Sequence, residues 1–201
     1  SFSNDKFFSI GRRTRGEERE KTAGATLRKA TPTFYEPGLK AALKKALRSG
    51  RLSFSTDVEG GVQGSDVVFL CVGTPSKPDG SIDTSFVEAA SGSVGRGMRS
   101  ARGYQVVVVK STVIPGTTED VVRPALEKTP GKKAGRDFGL CVNPEFLREG
   151  SALEDALTPD RTVIGALDEK SAKALERVYA KEKCPRLLTD LRTAEMVKYA
   201  T

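Results

Sequence analysis

Short apolar runs of β-forming residues alternate with stretches of helical periodicity along most of the chain. The longest apolar runs are continuous rather than alternating, which is typical of central parallel strands that are covered on both faces. The strand candidates are 66–72, 104–110 and 138–142, with shorter ones at 52–55, 161–166 and 187–188. The helix candidates are 39–49, 83–98, 117–128, 151–157, 171–182 and a last helix from about 193. Strands that alternate with helices predict an α/β protein with a doubly wound parallel sheet.

Residues 1–30 do not follow this pattern. The glycines at positions 11 and 16 have a spacing that partly resembles a phosphate loop, but the middle glycine and a preceding apolar strand are missing. We therefore give this spacing little weight. We expect a charged, poorly ordered lead-in at 1–30, a domain at 31–190 whose sheet is incomplete at its N-terminal edge, and the start of a central helix at 191–201.

The charge of the chain is distributed unevenly. The formal net charge is +7, yet residues 1–50 hold 12 Lys or Arg against 5 Asp or Glu, and residues 51–201 hold 21 of each. The body of the protein is therefore neutral, and few aromatic residues accompany the basic segment. We predict no nucleic-acid partner, because such surfaces combine basic and stacking side chains. No apolar stretch approaches the roughly 18 residues of a membrane span, so we predict no membrane partner either.

Cysteine usage and the absence of histidine exclude several kinds of site. The three cysteines, Cys71, Cys141 and Cys184, have no CxxC spacing, and the sequence contains no histidine. A histidine-based catalytic triad, a zinc finger and a histidine-metal site are therefore excluded, and we predict no metal. Cys71 and Cys141 lie in apolar runs, where they are expected to be small buried side chains. A reduced, cytoplasmic protein is the simplest interpretation.

Polar segments follow three of the predicted strands, at the point where each strand ends. They are 72–76, 110–117 and 143–150. Because open α/β sheets bind their ligands at the carboxyl ends of the strands, we expect these segments to form one site. Each also has a plainer interpretation: an ordinary βα turn for the first, a helix N-terminus with Ser and Thr caps for the second, and a surface turn with solvated acids for the third.

The third segment is the most informative, because it holds Glu145 and Glu149 over the end of a strand. The last predicted helix adds Lys198, which lies among apolar neighbours at helical spacing. A lysine in such a position can act as a catalytic cation, or it can simply extend its ammonium to water. The helix pattern alone leaves both interpretations open.

Over about residues 31–201 the chain resembles the nucleotide-sugar dehydrogenases of the UDP-glucose/GDP-mannose type, and UDP-glucose 6-dehydrogenases most closely. The matching segments, in the family's order, are FYEPGL at 34–39, VGTPS at 72–76, KST at 110–112, NPEFLREG at 143–150, PDR at 159–161 and AEMVK at 194–198. Several long motifs in a fixed order make the resemblance specific. It implies a Rossmann-like fold and an enzyme that uses two NAD+ to oxidise the C6 alcohol of a sugar nucleotide, UDP-glucose to UDP-glucuronate, through a thioester.

The resemblance also implies roles for individual residues. Glu145 would activate the water that hydrolyses the thioester, Lys198 would bind substrate and stabilise oxyanion charge, and Thr112 would position a catalytic water beside the nicotinamide. The residues implied to line NAD are Val72, Gly73, Thr74, Pro75, Ser76, Ser111, Thr112, Val113 and Glu149. Those implied to contact the sugar nucleotide are Glu145, Phe146, Leu147, Arg148, Glu149 and Lys198. Family members commonly form homodimers through the helix that begins near Thr193.

The sequence departs from the family pattern at both ends. The family's opening strand and its GxGxxG turn are expected before Phe34, and residues 1–30 do not show them. The family's nucleophilic cysteine and nucleotide-binding half are expected beyond Thr201, and none of the three cysteines lies in the matching context. We therefore expect an incomplete chain that does not turn over UDP-glucose by itself.

Three hypotheses remain open at this point. The first is an incomplete NAD-dependent UDP-glucose dehydrogenase. The second is a non-catalytic module that keeps the fold and an interaction surface. The third keeps the enzyme class but changes the substrate to GDP-mannose or a UDP-N-acetylhexosamine. The segment from Pro159 to Gly165 favours UDP-glucose modestly.

Overall fold

The computed structural model describes residues 7–10, 24–128 and 131–200. The strands are β1 (Phe7–Ile10), β2 (Val67–Leu70), β3 (Gln105–Val109), β4 (Phe138–Val142), β5 (Thr162–Ala166) and β6 (Arg186–Thr189). The helices are α1 (Leu39–Arg48), α2 (Val58–Gln63), α3 (Ser85–Met98), α4 (Arg123–Glu127), α5 (Ala152–Leu157), α6 (Glu169–Val178) and α7 (Leu191–Ala200). A π-helical turn at Thr118–Val122 leads into α4. In the described ranges, no helix is both long and apolar enough to cross a membrane.

The six strands form one sheet in the order β1-β2-β3-β4-β5-β6. Strands β1 to β4 are parallel, with Val67 opposite Val106 and Val109 opposite Val142. The predicted α/β fold class is confirmed, and the sheet is mostly parallel; the exception is β5, which runs antiparallel to β4. β6 is again parallel to β5. The short segment with α5 that joins β4 to β5 returns the chain directly, without a crossover to the other end of the sheet.

The core lies on both faces of the central strands. All five residues of β3 and all five of β4 are buried. Along β3, Val107 and Val109 belong to one apolar cluster, while Val106 and Val108 belong to another. This alternation follows from the two-residue period of a strand and explains why the sequence shows a continuous apolar run. The rigid centre of the sheet therefore fixes the ends of β2, β3 and β4, from which the site is built.

The structure departs from the sequence prediction in several elements. Residues 52–55 form no strand, and α2 was not predicted because its sequence, VEGGVQ, contains two glycines. The helix predicted at 117–128 begins instead with the π-helical turn. Thr117 makes no side-chain cap among the described residues, and its hydroxyl donates to the carbonyl of Ile114 at 2.7 Å.

The lead-in prediction needs correction where the structure describes it. Residues 7–10, for which no strand was predicted, form β1 beside β2, and residues 24–28 are helical. The remainder of 1–23, including the glycines at 11 and 16, lies outside the described residues. The division of the chain into three segments therefore stays a prediction.

Helix α7 packs tightly over the end of the sheet. Gly165 on β5 faces it so closely that an added Cβ would lie 2.5 Å from the Cβ of Ala194. Leu191 and Ala194 are buried in the same apolar cluster as Val142 of β4. A side chain at position 165 would push the helix away, so this glycine sets the distance at which α7 passes the end of β4. That distance brings Lys198 to the segment that follows β4.

Candidate functional site

The segments after β2 and β3 are joined to one another by side-chain hydrogen bonds. The Thr74 hydroxyl donates to the carbonyl of Thr112 at 2.7 Å. The Ser111 hydroxyl donates to the carbonyl of Val72 at 2.6 Å. Hydroxyls following two neighbouring strands thus bridge the two backbones, and the segments form one continuous ledge at the carboxyl edge of the sheet.

The ledge has an open side at Gly73. The residue is exposed, and a Cβ added there would have no described atom within 4 Å. Thr74, Ser111 and Thr112 are half-buried beside it, whereas Val113 is fully buried and anchors the second segment in the core. Pro75 and Ser76 are also exposed. A ligand can therefore approach the backbone of 72–76 closely without displacing a side chain.

Asn143 connects the ends of β3, β4 and β5 with α6. Its Oδ1 accepts from the Lys110 ammonium at 2.8 Å and from the Tyr179 hydroxyl, and its Nδ2 donates to the carbonyl of Val163 at 2.8 Å. Burial lowers the pKa of Lys110 and raises the pKa of Tyr179. Because these polar groups are satisfied by one another inside the protein, they fix where the segment after Asn143 begins.

Glu145 and Lys198 meet two residues further along this segment. The Lys198 ammonium donates to Glu145 Oε1 at 3.0 Å and also contacts the backbone carbonyl of Glu145. The other carboxylate oxygen accepts the N–H of Leu147 at 2.6 Å. The side chains of Lys198 and Glu145 remain 23% and 31% exposed, so both can still reach a ligand. A carboxylate and an ammonium are therefore held together at the carboxyl end of β4.

The ring of Phe146 lies beside two cations. The Lys198 ammonium is 5.3 Å from its centroid and the Arg161 guanidinium is 4.7 Å away, so the negative face of the ring attracts both. Phe146 and Val197 also pack against the apolar cluster that contains Val113. The residues that flank the Glu145–Lys198 pair and the end of the ledge at Val113 therefore belong to one apolar core. The segments around 74 and 112 are in contact, the segment around 145 follows the neighbouring strand, and the ammonium of Lys198 contacts that segment.

The rest of the acidic segment is turned outward. Leu147, Arg148 and Glu149 are exposed. Arg148 pairs with Asp155 at 2.6 Å and lowers the pKa of that carboxyl to about 2. Arg148 is therefore paired with a neighbouring acid and Glu149 is exposed at the surface, whereas Glu145 contacts Lys198.

A cleft of about 510 Å³ opens beside Glu145, between the segment after β4, α5 and the end of α6. Its aromatic walls are Phe146 and Tyr179, and its basic groups are Lys110, Arg148 and Arg161. Its acidic groups are Glu145, Glu154, Asp155, Asp160 and Glu182. Aromatic faces mixed with charged and amide groups suit a polar ligand with many hydroxyls. Over the described ranges, no cluster of three metal-ligating side chains is present.

The cysteines stand apart from this chemistry. All three lie in the described part of the chain, and none forms a disulfide there. Burial raises the pKa of the Cys141 thiol to about 12, and it also raises the pKa of Cys71. Thiols of this kind are poor nucleophiles at neutral pH. Cys71 and Cys141 are therefore unsuited to the role of the family's nucleophile.

Two buried glutamates that support the site were not found by the sequence analysis. Glu195 is 2% exposed, and its two oxygens accept the N–H groups of Gly116 and Thr118, the latter at 2.8 Å. Burial raises its pKa. It thereby fixes the turn that follows Ser111 and Thr112. Glu36 is 8% exposed and accepts the N–H of Gly150 at 2.9 Å. Both glutamates lie in segments that match the family, at 34–39 and 194–198, but the sequence pattern indicated a role for neither of them.

The comparisons with known proteins agree with this arrangement. The model of the UDP-glucose/GDP-mannose dehydrogenase family, NAD binding domain, matches residues 18–183. GDP-mannose 6-dehydrogenase of Pseudomonas aeruginosa is 45% identical over 166 residues, which are 83% of this chain and 38% of that protein. UDP-glucose 6-dehydrogenase TuaD of Bacillus subtilis is 37% identical over 87% of this chain and 37% of its own length.

A solved structure leads to the same family. The UDP-glucose dehydrogenase of the archaeon Pyrobaculum islandicum superposes with a TM-score of 0.89 at 44% identity, covering 99% of this chain and 49% of that one. The chain thus spans less than half the length of each of these relatives. Their fold confirms the Rossmann-type architecture expected from the sequence. The chain belongs to the UDP-glucose/GDP-mannose dehydrogenase family and carries its NAD-binding domain.

Proposed function

We propose that this chain is the cofactor-binding part of an enzyme that oxidises the C6 alcohol of a sugar nucleotide to a carboxylate. The observation that carries the proposal is the Glu145–Lys198 pair, which follows β4, the parallel neighbour of the strand β3 from which Thr112 of the ledge follows. The pair joins a proton acceptor to a fixed cation next to the surface where the family's NAD-binding domain takes its cofactor. UDP-glucose is our first candidate substrate.

The residues of the ledge suit a dinucleotide. Gly73 leaves the backbone open, and the hydroxyls of Thr74 and Ser111 hold the ledge rigid. We expect 72–76 and 111–113 to contact NAD with backbone groups and with the side chains of Ser76 and Thr112, because the other two hydroxyls are engaged. NAD+ supplies the hydride acceptor of the reaction when it is bound. The exposed Glu149 is the weakest member of the proposed cofactor set.

Lys198 is proposed to bind substrate and to stabilise negative charge on oxygen. Its ammonium has three N–H donors and currently serves two oxygens of Glu145, so one donor remains for an alkoxide or a tetrahedral oxyanion. Preorganised donors of this kind contribute about 3–4 kcal/mol to transition-state stabilisation. The apolar contacts of Val197 and Phe146 hold the helix and the ring that flank this ammonium.

Glu145 is proposed to take a proton from the water that hydrolyses the thioester left by the second oxidation. Its Oε1 and Oε2 are held by Lys198 and by the N–H of Leu147, which fixes the direction of the remaining lone pairs. Thr112 is proposed to position a catalytic water beside the nicotinamide, because its carbonyl accepts from Thr74 and its hydroxyl is on the same ledge. Phe146, Leu147 and Arg148 would then offer the adjoining surface to the sugar nucleotide.

The identity of the sugar is the finer part of the proposal. The relatives described above carry the names of both GDP-mannose and UDP-glucose dehydrogenases. Both names describe an oxidation at C6, but the two substrates differ in their nucleotide base and in their sugar. We rank UDP-glucose first because the UDP-glucose enzyme of Pyrobaculum islandicum aligns with nearly the whole chain. GDP-mannose is the second candidate.

The test is turnover by the protein expressed from the complete reading frame that encodes this chain. NADH absorbance is followed with NAD+ and either UDP-glucose or GDP-mannose, and two NADH per sugar nucleotide are expected with one of them. Lys198→Met is expected to lower kcat at least about 100-fold. The matched control is Lys173→Met, which removes an ammonium that is 68% exposed and paired with Glu169 on α6. Equal rates for both variants would overturn the assigned role of Lys198.

The competing hypothesis is a non-catalytic module that keeps the fold. It predicts that the same protein binds NAD+ but produces no NADH with either sugar nucleotide.

Two further proposals accompany the enzyme. A homodimer would form through α7, whose Met196 and Tyr199 are exposed, and light scattering measures the molar mass that distinguishes a dimer from a monomer. A cytoplasmic location agrees with three cysteines that are not paired with one another.

A further inference from the structure

The turn before α1 holds a buried carboxylate among exposed residues. Glu36 is 8% exposed, whereas Phe34 and Tyr35 are 64% and 89% exposed. Glu36 Oε2 accepts the N–H of Gly150 at 2.9 Å, and Oε1 accepts the N–H of Leu153 at 3.4 Å. The carboxylate therefore reaches across more than a hundred residues of sequence to the point where the acidic segment ends and α5 begins.

Glu36 accepts hydrogen bonds at the start of α5, where the N-terminal residue of the helix provides no side-chain cap. The N-terminal residue Ser151 makes no side-chain cap within the described residues. The first N–H groups of a helix need acceptors, and a carboxylate is the most favourable one because the helix dipole is positive there. Glu36 supplies that acceptor from another part of the chain.

A second contact joins the same two turns. Gly38 has φ +77, and a Cβ added there would lie 2.9 Å from Leu153 Cδ2. The turn at 36–38 therefore touches the first turn of α5 through a hydrogen-bonded carboxylate and through close packing. Since none of the described residues of α5 is buried, this helix has no core contact of its own to hold it in place.

We propose that Glu36 is a positioning residue that fixes the far end of the segment carrying Glu145 and thereby keeps the Glu145 carboxylate on Lys198. The near end of the segment is fixed at Asn143, whose side chain contacts three other elements. The far end is tied by Arg148 to Asp155, but Asp155 lies on α5 and moves with it. Glu36 connects the far end, through Gly150, to the turn before α1, which is a different part of the chain. The functional half of this inference rests on the proposed function.

The first test is hydrogen exchange in the 201-residue chain, which is independent of any catalytic role. In the unaltered chain the amide of Gly150 is expected to exchange slowly although the residue is exposed. Glu36→Ala is expected to speed exchange at Gly150 and Leu153 at least about tenfold, because their acceptor is lost. Amides of β3 should keep their rates. Rapid exchange at Gly150 in the unaltered chain would overturn the proposal even if the variant fails to fold.

The second test separates positioning from general stability. Glu36→Gln, which keeps one acceptor oxygen, is introduced into the protein expressed from the complete reading frame. Its kcat is expected to fall about tenfold with the KM for NAD+ unchanged, because small displacements of a catalytic group slow the reaction while the ledge at 72–76 is untouched. An unchanged kcat, or an equal rise in the KM for NAD+, would overturn the positioning role.

The matched control is Glu127→Gln. Glu127 also accepts a backbone N–H across a loop, that of Ala134 at 3.0 Å, and it pairs with Lys133, so both of these partners lie ahead of β4 whereas the acidic segment follows β4. It should lower stability without lowering kcat more than about twofold. If the unaltered protein shows no turnover with either sugar nucleotide, the proposed function fails, and the exchange result still decides whether Glu36 fixes the segment.

Discussion

Replacing Glu195 tests how the turn after β3 is held in place. In Glu195→Ala, the N–H groups of Gly116 and Thr118 lose their acceptor while both residues remain buried. An orphaned buried donor costs about 1–3 kcal/mol, and the missing side chain leaves a cavity in addition. We therefore expect the free energy of unfolding to fall by about 3–5 kcal/mol, a large part of the roughly 5–15 kcal/mol of a typical domain.

Glu195→Gln should behave differently because it is neutral and nearly isosteric. Burial raises the pKa of Glu195 in the folded protein above its value in the unfolded chain, which is about 4.3. The stability contributed by this group is then present in full below about pH 4.3 and is lost as pH rises through the folded pKa. The glutamine does not titrate, so the unfolding free energy of Glu195→Gln should rise relative to the unaltered chain between pH 4 and pH 7.

Urea denaturation at several pH values measures both effects. The alanine variant should be less stable than the unaltered chain throughout, with about tenfold weaker NAD+ binding because the turn beside Ser111 and Thr112 loosens. The glutamine variant should gain on the unaltered chain as the pH rises. The reasoning is refuted if the unaltered chain instead gains on the glutamine variant towards neutral pH, because the charged carboxylate would then be favoured by folding.

Two further predictions concern the ledge and the thiols. Gly73→Leu should leave the urea midpoint unchanged, since no described atom lies within 4 Å of the new Cβ. It should nevertheless weaken NAD+ binding at least about tenfold, as measured by calorimetry. The control Gly64→Leu, at another exposed glycine with room for a side chain, should bind NAD+ normally. Cys141, whose pKa is raised to about 12 by burial, should react with iodoacetamide at least about 100-fold more slowly than the half-buried Cys184, as read by peptide mass spectrometry, and equal rates would show that the strand opens readily.

The central strands could be predicted from the sequence because their burial leaves a local pattern. Phe138–Val142 was predicted with the bounds that the structure gives, and β3 within one residue at each end. The direction of β5 could not be predicted, since its apolar run is the same whether it lies parallel or antiparallel to β4. The candidate strand at 52–55 failed because a short apolar pattern forms a strand only where a partner strand is available.

The site could be predicted only in part for a related physical reason. Strand ends at one edge of a sheet marked residues 74 and 112, which are in contact, and residue 145 after the neighbouring strand, while helical spacing marked Lys198. The supports of these residues, Glu36 and Glu195, act across 77 to 117 positions of sequence. No local pattern records such contacts, because they depend on how the turns approach one another in the folded protein.

The most direct measurement is a titration of the ¹⁵N-labelled chain with NAD+, followed by the shifts of its amide signals. The account predicts saturable shifts that concentrate at 72–76 and 111–113 and extend to Glu145 and Phe146, with little change in α1 or α6. Shifts confined to those two helices, or no saturable shifts at millimolar NAD+, would contradict the claim that the carboxyl edge of the sheet is one cofactor and substrate site.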